Sequence, residues 1–229
     1  MNASNAAGTA AGTAGASPQD GADVGVIGPA VMGRNLMLNM ADHGYHVIAC
    51  NRTVEKMTGF VDGLPEGTSI SGAETVEALV EGLSRPRKIM LMVQAGGAVD
   101  AVIAQLVPLL DAGDVIIDGG NSKFTDSQRR ADALAEGGLL YAGTGVSGGE
   151  EGARHGPSPM PGGHIAAWPL IREMFQAIAA KTAAGEPCCD WFANRVHAAQ
   201  DGWRRTLAAG VTHGQPGVQH RLRRLIRDA

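Results

Sequence analysis

The six residues Gly28-Pro29-Ala30-Val31-Met32-Gly33 constrain this chain more than any others, because of what flanks them. Before them, Val24-Gly25-Val26-Ile27 is a short apolar run ending at glycine, which reads as a buried strand. After them, apolar residues at 32, 36, 37 and 40 recur at helical spacing from Val31 to His43, and Gly44 stops the helix. A GxAxxG turn that leaves a strand and opens a helix suits a dinucleotide. Gly28 permits the tight turn and Ala30 lets the backbone approach a pyrophosphate. Gly33 lets helix and strand pack closely, and the helix N-terminus faces the phosphates. An ordinary strand-to-helix turn could look the same, so the surrounding pattern has to decide.

That pattern is alternation. Tyr45 to Cys50 reads as a second strand, and Thr53 as the cap of a helix running to about Asp62. A helix over Thr75 to Leu83, a strand over Lys88 to Val93 and a helix over Ala98 to Leu110 follow. Val115 to Ile117 is a strand, Asp126 to Ala135 a helix and Leu139 to Ala142 a strand. Ile165 to Ala180 has helical spacing again, with Pro169 near its first turn. Between these last two lie glycine-rich loops at Gly145 to Arg154 and Met160 to Gly163. Strands alternating with helices give a Rossmann-type α/β fold, a doubly wound, mostly parallel sheet whose continuous apolar strands are covered on both faces. Aromatics are only 4% of the 229 residues, so the core must be aliphatic.

Several function classes drop out. A net charge of -4 and no basic stripe before residue 190 argue against nucleic acid, and no apolar run is long enough to span a membrane. Cys50, Cys188 and Cys189 contain no CxxC pair, and the seven histidines no HxxxH or HExxH spacing, so neither a disulfide framework nor a metal site is expected. The adjacent Cys188 and Cys189 read as buried apolar filler. Residues 1–21 read as a disordered leader without signal- or transit-peptide features. Residues 22–191 read as the nucleotide-binding domain. Residues 192–229 hold seven arginines, no lysine and two acids, and read as a divergent, solvated tail.

The site candidates follow from the fold. Asn51-Arg52-Thr53 ends the second strand, with Asn51 eighteen residues after Gly33. An NAD-binding domain carries an acid here for the ribose hydroxyls, whereas an arginine accommodates the 2′-phosphate of NADP. Ligands of parallel sheets bind outside the carboxyl ends of the strands. The loops Asp118 to Ser122 and Ser147 to Gly149 therefore belong to the same site. Asn121 and Ser147 offer side-chain hydrogen bonds there, and Gly148 and Gly149 bare amides. Glu150 and Glu151 read as caps or solvated charges rather than an acid/base pair.

These stretches resemble the 6-phosphogluconate dehydrogenase family from Asp23 to about Trp191. The likeness is carried by Ile27 through Leu36, Asn51-Arg52-Thr53-Val54 and Ile117 through Ser122. It is carried most specifically by Gly145-Val146-Ser147-Gly148-Gly149-Glu150-Glu151-Gly152-Ala153-Arg154, Met160-Pro161-Gly162-Gly163 and Gly185 through Trp191. The related β-hydroxyacid dehydrogenases share the first turn but not the long run beginning at Gly145. The resemblance implies a cytoplasmic, NADP-linked enzyme of the pentose phosphate pathway. Such an enzyme oxidises 6-phosphogluconate at C3 and releases CO2 to give ribulose 5-phosphate. By likeness, Gly28, Ala30, Val31, Met32, Gly33, Asn51, Arg52 and Thr53 hold the cofactor. Val93, Gln94 and Ala95 line its nicotinamide side. Asn121 contacts nicotinamide and substrate, and Ser147, Gly148 and Gly149 contact substrate.

The chain departs from the family at Pro29, where leucine or another small apolar residue is usual, at Gln94, where lysine is usual, and at Pro159, where an apolar residue is usual. Beyond Trp191 the family continues with a stretch holding its catalytic lysine and glutamate, and with a large all-helical dimerising domain. Neither is readable here, so no catalytic residue is assigned. The expectation is a truncated, NADP-binding chain, inactive alone; the alternative is a non-catalytic NADP-binding module or a decayed, frameshifted gene product. If Gln219 to Arg224 are encoded CAA CAT CGA TTA CGC CGA, the next frame reads Asn-Ile-Asp-Tyr-Ala, close to the family's Asn-Gly-Ile-Glu-Tyr. Sequencing the gene tests this: a frameshift is ruled out if neither other frame gives family-like sequence.

Overall fold

The computed structural model describes residues 21–192. The expected leader and the arginine-rich tail, apart from Gly21 and Phe192, lie outside the described residues. Seven strands form one sheet in the order β3-β2-β1-β4-β5-β6-β7. These are β1 (Val24–Ile27), β2 (Val47–Cys50), β3 (Ile70–Ala73), β4 (Lys88–Leu91), β5 (Val115–Asp118), β6 (Leu140–Ser147) and β7 (Ser158–Gly163). The first six run parallel and β7 is antiparallel to β6. The sheet is doubly wound, and its order reverses between β1 and β4. The helices are α1 (Val31–Asp42), α2 (Val54–Val61), α3 (Val76–Glu81), α4 (Gly97–Leu106), α5 (Phe124–Glu136), α6 (Gly149–His155) and α7 (Trp168–Ile178).

Alternate strand residues feed two cores. On one face Val24, Val26, Val47, Ala49, Met90, Val115 and Ile117 meet Leu36, Met37 and Met40 of α1 and Ile171, Met174, Phe175 and Ile178 of α7. On the other, Ile27, Ile48, Ile89, Leu91 and Ile116 meet Leu79 of α3, Val99, Ile103 and Leu106 of α4, and Leu134 of α5. One polar side chain joins the first core. Asn39 of α1 is 2% exposed, and its Nδ2 donates to Ala153 O (3.1 Å) and Ile178 O (3.2 Å), at the ends of α6 and α7. Cys188 and Cys189 are both buried, as filler residues should be.

Four local expectations are corrected. Ile70-Ser71-Gly72-Ala73 is an edge strand that sequence reading passed over. The stretch Gly145 to Arg154 is not a loop: β6 runs on to Ser147, and α6 begins at Gly149. Met160 to Gly163 is strand rather than loop, within β7. Prolines survive in β7 because it is an edge strand with one partner. Pro161 O accepts from Phe192 N (2.9 Å) on the side away from β6, so the missing N–H of that residue faces outward too. Finally, Thr53 stands at the N-cap of α2 but its side chain makes no capping bond. Its carbonyl accepts from Asn51 Nδ2 (3.1 Å) instead.

The chain has two tyrosines, Tyr45 and Tyr141. Burial, and then the negative charge of Asp118, hold Tyr141 well above the usual value of 10.0. Burial, Glu173 and Asp23 push Tyr45 up to about 12. A phenol whose pKa is raised by folding contributes stability that is intact below its unfolded value and lost as pH rises above it. The native protein should therefore show no tyrosinate absorbance as pH passes 10, and the signal should appear together with loss of structure. A smooth titration near 10 in protein still folded by circular dichroism would contradict this packing.

Candidate functional site

The carboxyl ends of β1 and β4 flank the point where the strand order reverses, and the GxAxxG turn sits there. Gly28 N donates to Cys50 O (3.0 Å) on one side, while Ile27 O accepts from Met92 N (2.8 Å) on the other. Between them Gly28 adopts φ +96, and a Cβ there would lie 2.7 Å from Met92 O. A Cβ on Gly33 would lie 2.7 Å from Gly28 O, so the start of α1 presses on the turn as the motif requires. The N-cap of α1, Ala30, offers no side-chain acceptor, and no acid stands in the first turn. The first-turn amides thus leave an electropositive helix end without a capping side chain or acid among the described residues. Ala30 and Val31 are exposed beside it.

Cys50 ends β2, and Asn51, Arg52 and Thr53 lead into α2. Arg52 is exposed and makes no ion pair or hydrogen bond among the described residues. Nearby, Arg34 of α1 is held in place. Its Nε donates to Pro29 O (2.9 Å), and its guanidinium lies 5.2 Å from the ring centroid of Phe60. Sequence reading missed Arg34; its position directly after Gly33 was the available signal. The residues at this end suit an anion. The free guanidinium and the helix end are cationic, and the nearest acid on α2, Glu55, is exposed.

The loops after β4 and β5 come together at the same edge. Val93 is half-buried, and Gln94 and Ala95 are exposed. Gly96, with φ +96, stands at the N-cap of α4. After β5, Gly119 N donates to Leu91 O (3.0 Å) and Gly120 N to Asp118 Oδ1 (3.1 Å). A Cβ on Gly120 would lie 2.5 Å from Val93 O, so the two loops touch. Asn121 is exposed and has φ 57, the one positive φ of a non-glycine residue among the described residues. Beneath it is a buried ionic cluster that sequence reading also missed. Asp118 Oδ2 accepts from Arg130 (3.2 Å) and from the Tyr141 hydroxyl (2.6 Å). Arg130 also binds Asp100, and through this bond Asp100 is held down to about pKa 2. The available signal was an arginine on the buried face of α5, among Ser127, Ala131 and Leu134.

Ser147, Gly148 and Gly149 stand apart from the cradle. Gly143 is the last residue of β6 paired with β5, so β6 overshoots by four residues, or about 13 Å. It carries Ser147 beyond the sheet edge, paired only with Ser158 of β7. Gly148 (φ +128) and Gly149 (φ +60) then turn into α6. All the expected site residues thus lie at the carboxyl edge, but in three groups: Gly28 to Gly33 with Asn51 to Thr53, Val93 to Ala95 with Asn121, and Ser147 to Gly149. Glu150 and Glu151 are exposed in the first turn of α6, as expected of solvated charges. A shallow groove of about 430 Å³ beside His164 and Ile165 lies at the start of β6, the opposite end of the sheet. Among the described residues no cluster of three or more His, Cys, Asp or Glu could hold a metal, and no helix is long and apolar enough to cross a membrane.

Sheet order, glycine turn and helix end together define a dinucleotide-binding domain. Residues 23–191 match the model of the NAD binding domain of 6-phosphogluconate dehydrogenase, and the chain belongs to that family. It is 62% identical over 170 residues to a decarboxylating 6-phosphogluconate dehydrogenase of Drosophila simulans, covering 74% of this chain and 35% of that protein. The enzyme of the same name from Haemophilus influenzae is 59% identical over 169 residues, again 74% of this chain and 35% of that protein. The chain therefore spans about a third of the length of these relatives. Among solved structures, Plasmodium falciparum 6-phosphogluconate dehydrogenase, described in apo form, with NADP+ and with 6-phosphogluconate, superposes with a TM-score of 0.73 at 35% identity. That match covers 81% of this chain and 42% of the other. A 3-hydroxyisobutyrate dehydrogenase from Salmonella typhimurium shares the fold, with a TM-score of 0.63 at 18% identity over 82% of this chain and 62% of the other.

The contact between Gly120 and Val93 gives a direct test of the loop geometry. Gly120→Ala should force the β4 and β5 loops apart and cost about 1–3 kcal/mol of stability, the usual penalty for overpacking. Denaturant unfolding measures it; an unchanged midpoint would mean that the loops do not touch.

Proposed function

We propose that this chain binds NADP at the carboxyl edge of its sheet. We propose further that it is the cofactor-binding part of an enzyme that oxidises and decarboxylates 6-phosphogluconate to ribulose 5-phosphate. The observation that carries the reading is Arg52: an exposed guanidinium just after β2, unpaired among the described residues, beside an acid-free helix end. A planar guanidinium suits bidentate contact with a 2′-phosphate, and the absence of an acid at Asn51-Arg52-Thr53 removes the partner a ribose hydroxyl would want.

In this proposal Gly28, Ala30, Val31, Met32 and Gly33 hold the pyrophosphate, and Asn51, Arg52 and Thr53 hold the 2′-phosphate. Val93, Gln94, Ala95 and Asn121 line the nicotinamide side. Asn121, Ser147, Gly148 and Gly149 face 6-phosphogluconate. NADP, when bound, supplies the hydride acceptor. The residues of this chain bind, orient and exclude water. No group among those named is suited to move the substrate's proton. The 229-residue chain expressed by itself is therefore proposed to bind cofactor without turnover. A non-catalytic NADP-binding module is the second reading, which NADP affinity without turnover would favour. The cytoplasmic location and the homodimeric state of whole family members belong to the proposal as well.

Calorimetric titration with NADP and NAD tests the reading. NADP should bind more tightly than NAD. Arg52→Ala should weaken NADP by about 10–100-fold, the equivalent of one charge-assisted hydrogen-bond pair at about 1.5–3 kcal/mol, and leave NAD unchanged. Equal affinities for the two cofactors would defeat it. The same protein given NADP and 6-phosphogluconate should form no NADPH above background; measurable turnover would overturn the prediction of inactivity.

A further inference from the structure

The buried ionic cluster beneath the β4 and β5 loops has a shape that stability alone does not explain. Arg130 is 2% exposed, and a guanidinium carries five N–H donors. Five bonds use them. Nε donates to Asp100 Oδ1 (2.8 Å). NH1 donates to Asp118 Oδ2 (3.2 Å) and Ser122 Oγ (2.9 Å). NH2 donates to Gly96 O (2.9 Å) and Asp100 Oδ2 (3.2 Å). These acceptors come from α4, the end of β5 and two different loops. Gly96 closes the segment from Val93, and Ser122 closes the segment from Asp118. Asp100, on α4, fixes the helix that the first loop enters.

The charges balance within the cluster. Asp100 also pairs with exposed Arg129 (2.9 Å), so two arginines face two aspartates. Burial, the largest single effect, works against the Arg130 charge, but the hydrogen bonds and charges of Asp100 and Tyr141 together outweigh it and leave the group more basic than usual. The Tyr141 hydroxyl donates to Asp118 Oδ2 (2.6 Å), and Gly120 N donates to Oδ1 (3.1 Å). Asn121, the residue in left-handed conformation, is thus anchored on both sides: at Gly120 through Asp118, and at Ser122 through Arg130.

We infer that Arg130 is a positioning residue for the nicotinamide end of the bound dinucleotide, acting through Gly96 and Ser122 to fix the spacing of the Val93–Gly96 and Asp118–Ser122 loops. The inference rests on the NADP reading above and adds a division of labour within it. The adenine end, at Gly28 to Gly33 and Asn51 to Thr53, has no bond to this cluster among the described residues. Arg130 should therefore govern one half of the cofactor and not the other.

The test compares two ligands on the full chain: NADP, and adenosine 2′,5′-bisphosphate, which keeps the 2′-phosphate and adenine but lacks nicotinamide. Arg130→Lys keeps the charge but cannot reach both loops at once. It should weaken NADP about tenfold or more and leave the bisphosphate within about twofold. Tyr141→Phe, which removes one bond to Asp118 without altering charge, should shift NADP in the same direction by less; it supplies the answer if Arg130→Lys does not fold. Arg87→Lys is the control for stability. Arg87 forms a comparable buried pair with Asp114 (2.9 Å) at the opposite end of the sheet, and its loss should lower the melting temperature without changing either affinity. Equal losses for both ligands in the Arg130 and Tyr141 variants, or no loss for NADP, would overturn the inference. Failure of the unaltered chain to bind the bisphosphate would instead remove the NADP reading itself. Equal affinity of the unaltered chain for the two ligands would leave no nicotinamide-end contact to position, and would defeat the inference alone.

Discussion

The structure depends on a parallel sheet buried on both faces. Val24, Val26, Val47, Ile89, Leu91, Val115, Ile116 and Ile117 are wholly inaccessible, so no polar side chain can sit among them without a partner. Charge is therefore pushed to strand ends. Lys88 is the first residue of β4, and Asp118 is the last residue of β5. The sheet leaves the backbone amides of its carboxyl edge, the helix starts that follow and a few end-of-strand side chains as the groups that can meet a ligand. Every expected site residue lies at that edge because the core excludes it from elsewhere.

Legibility in the sequence follows the same division. Strands covered on both faces were readable as apolar runs, and α1 and α7 as helical spacing. The elements that escaped are those whose constraint is not hydrophobic. β3 reads Ile-Ser-Gly-Ala and sits at an edge, where one face and one neighbour suffice. β7 contains two prolines and three small residues besides its methionine. Only its edge position and outward-facing Pro161 make it a strand, and neither is a local property. α6 is hidden by Gly149 and Gly152, and it is held from outside by Asn39, whose side chain reaches its last turn from α1. A buried asparagine 114 residues away leaves no trace in the local pattern.

The two arginines that matter most show why one half of the candidate site was easier to read than the other. Arg52 is defined by what it lacks: it is exposed and has no partner among the described residues, at a place where chain position alone raises the question of a phosphate. Arg130 is defined by what it has, five acceptor atoms drawn from α4, the end of β5 and two loops. Its acceptors are 8 to 34 residues away in sequence, and only folding brings them together. The same residue type thus stands open to solvent in one place and closed within a neutral cluster in the other. A count of charges cannot tell them apart, because the difference lies in burial and in the number of satisfied donors.

The departure at Pro29 bears on how the turn meets an anion. A proline there has no N–H to offer. The next amide, Ala30 N, is already committed to Gly28 O (2.8 Å) within the turn. Its carbonyl neighbour, Pro29 O, is occupied by Arg34 Nε (2.9 Å). The donors left for a phosphate are then those of the first turn of α1, from Val31 onward, which have no capping side chain and no acid beside them. Proline at this position removes a donor without opening the turn, and in the proposed NADP reading it leaves the phosphates to the helix end. There the field of the aligned peptides adds to the hydrogen bonds rather than standing apart from them. The bonds of Arg34 to Pro29 O and to the face of Phe60 hold this arrangement from the α2 side, so the turn and the segment carrying Arg52 are set relative to each other before any ligand arrives.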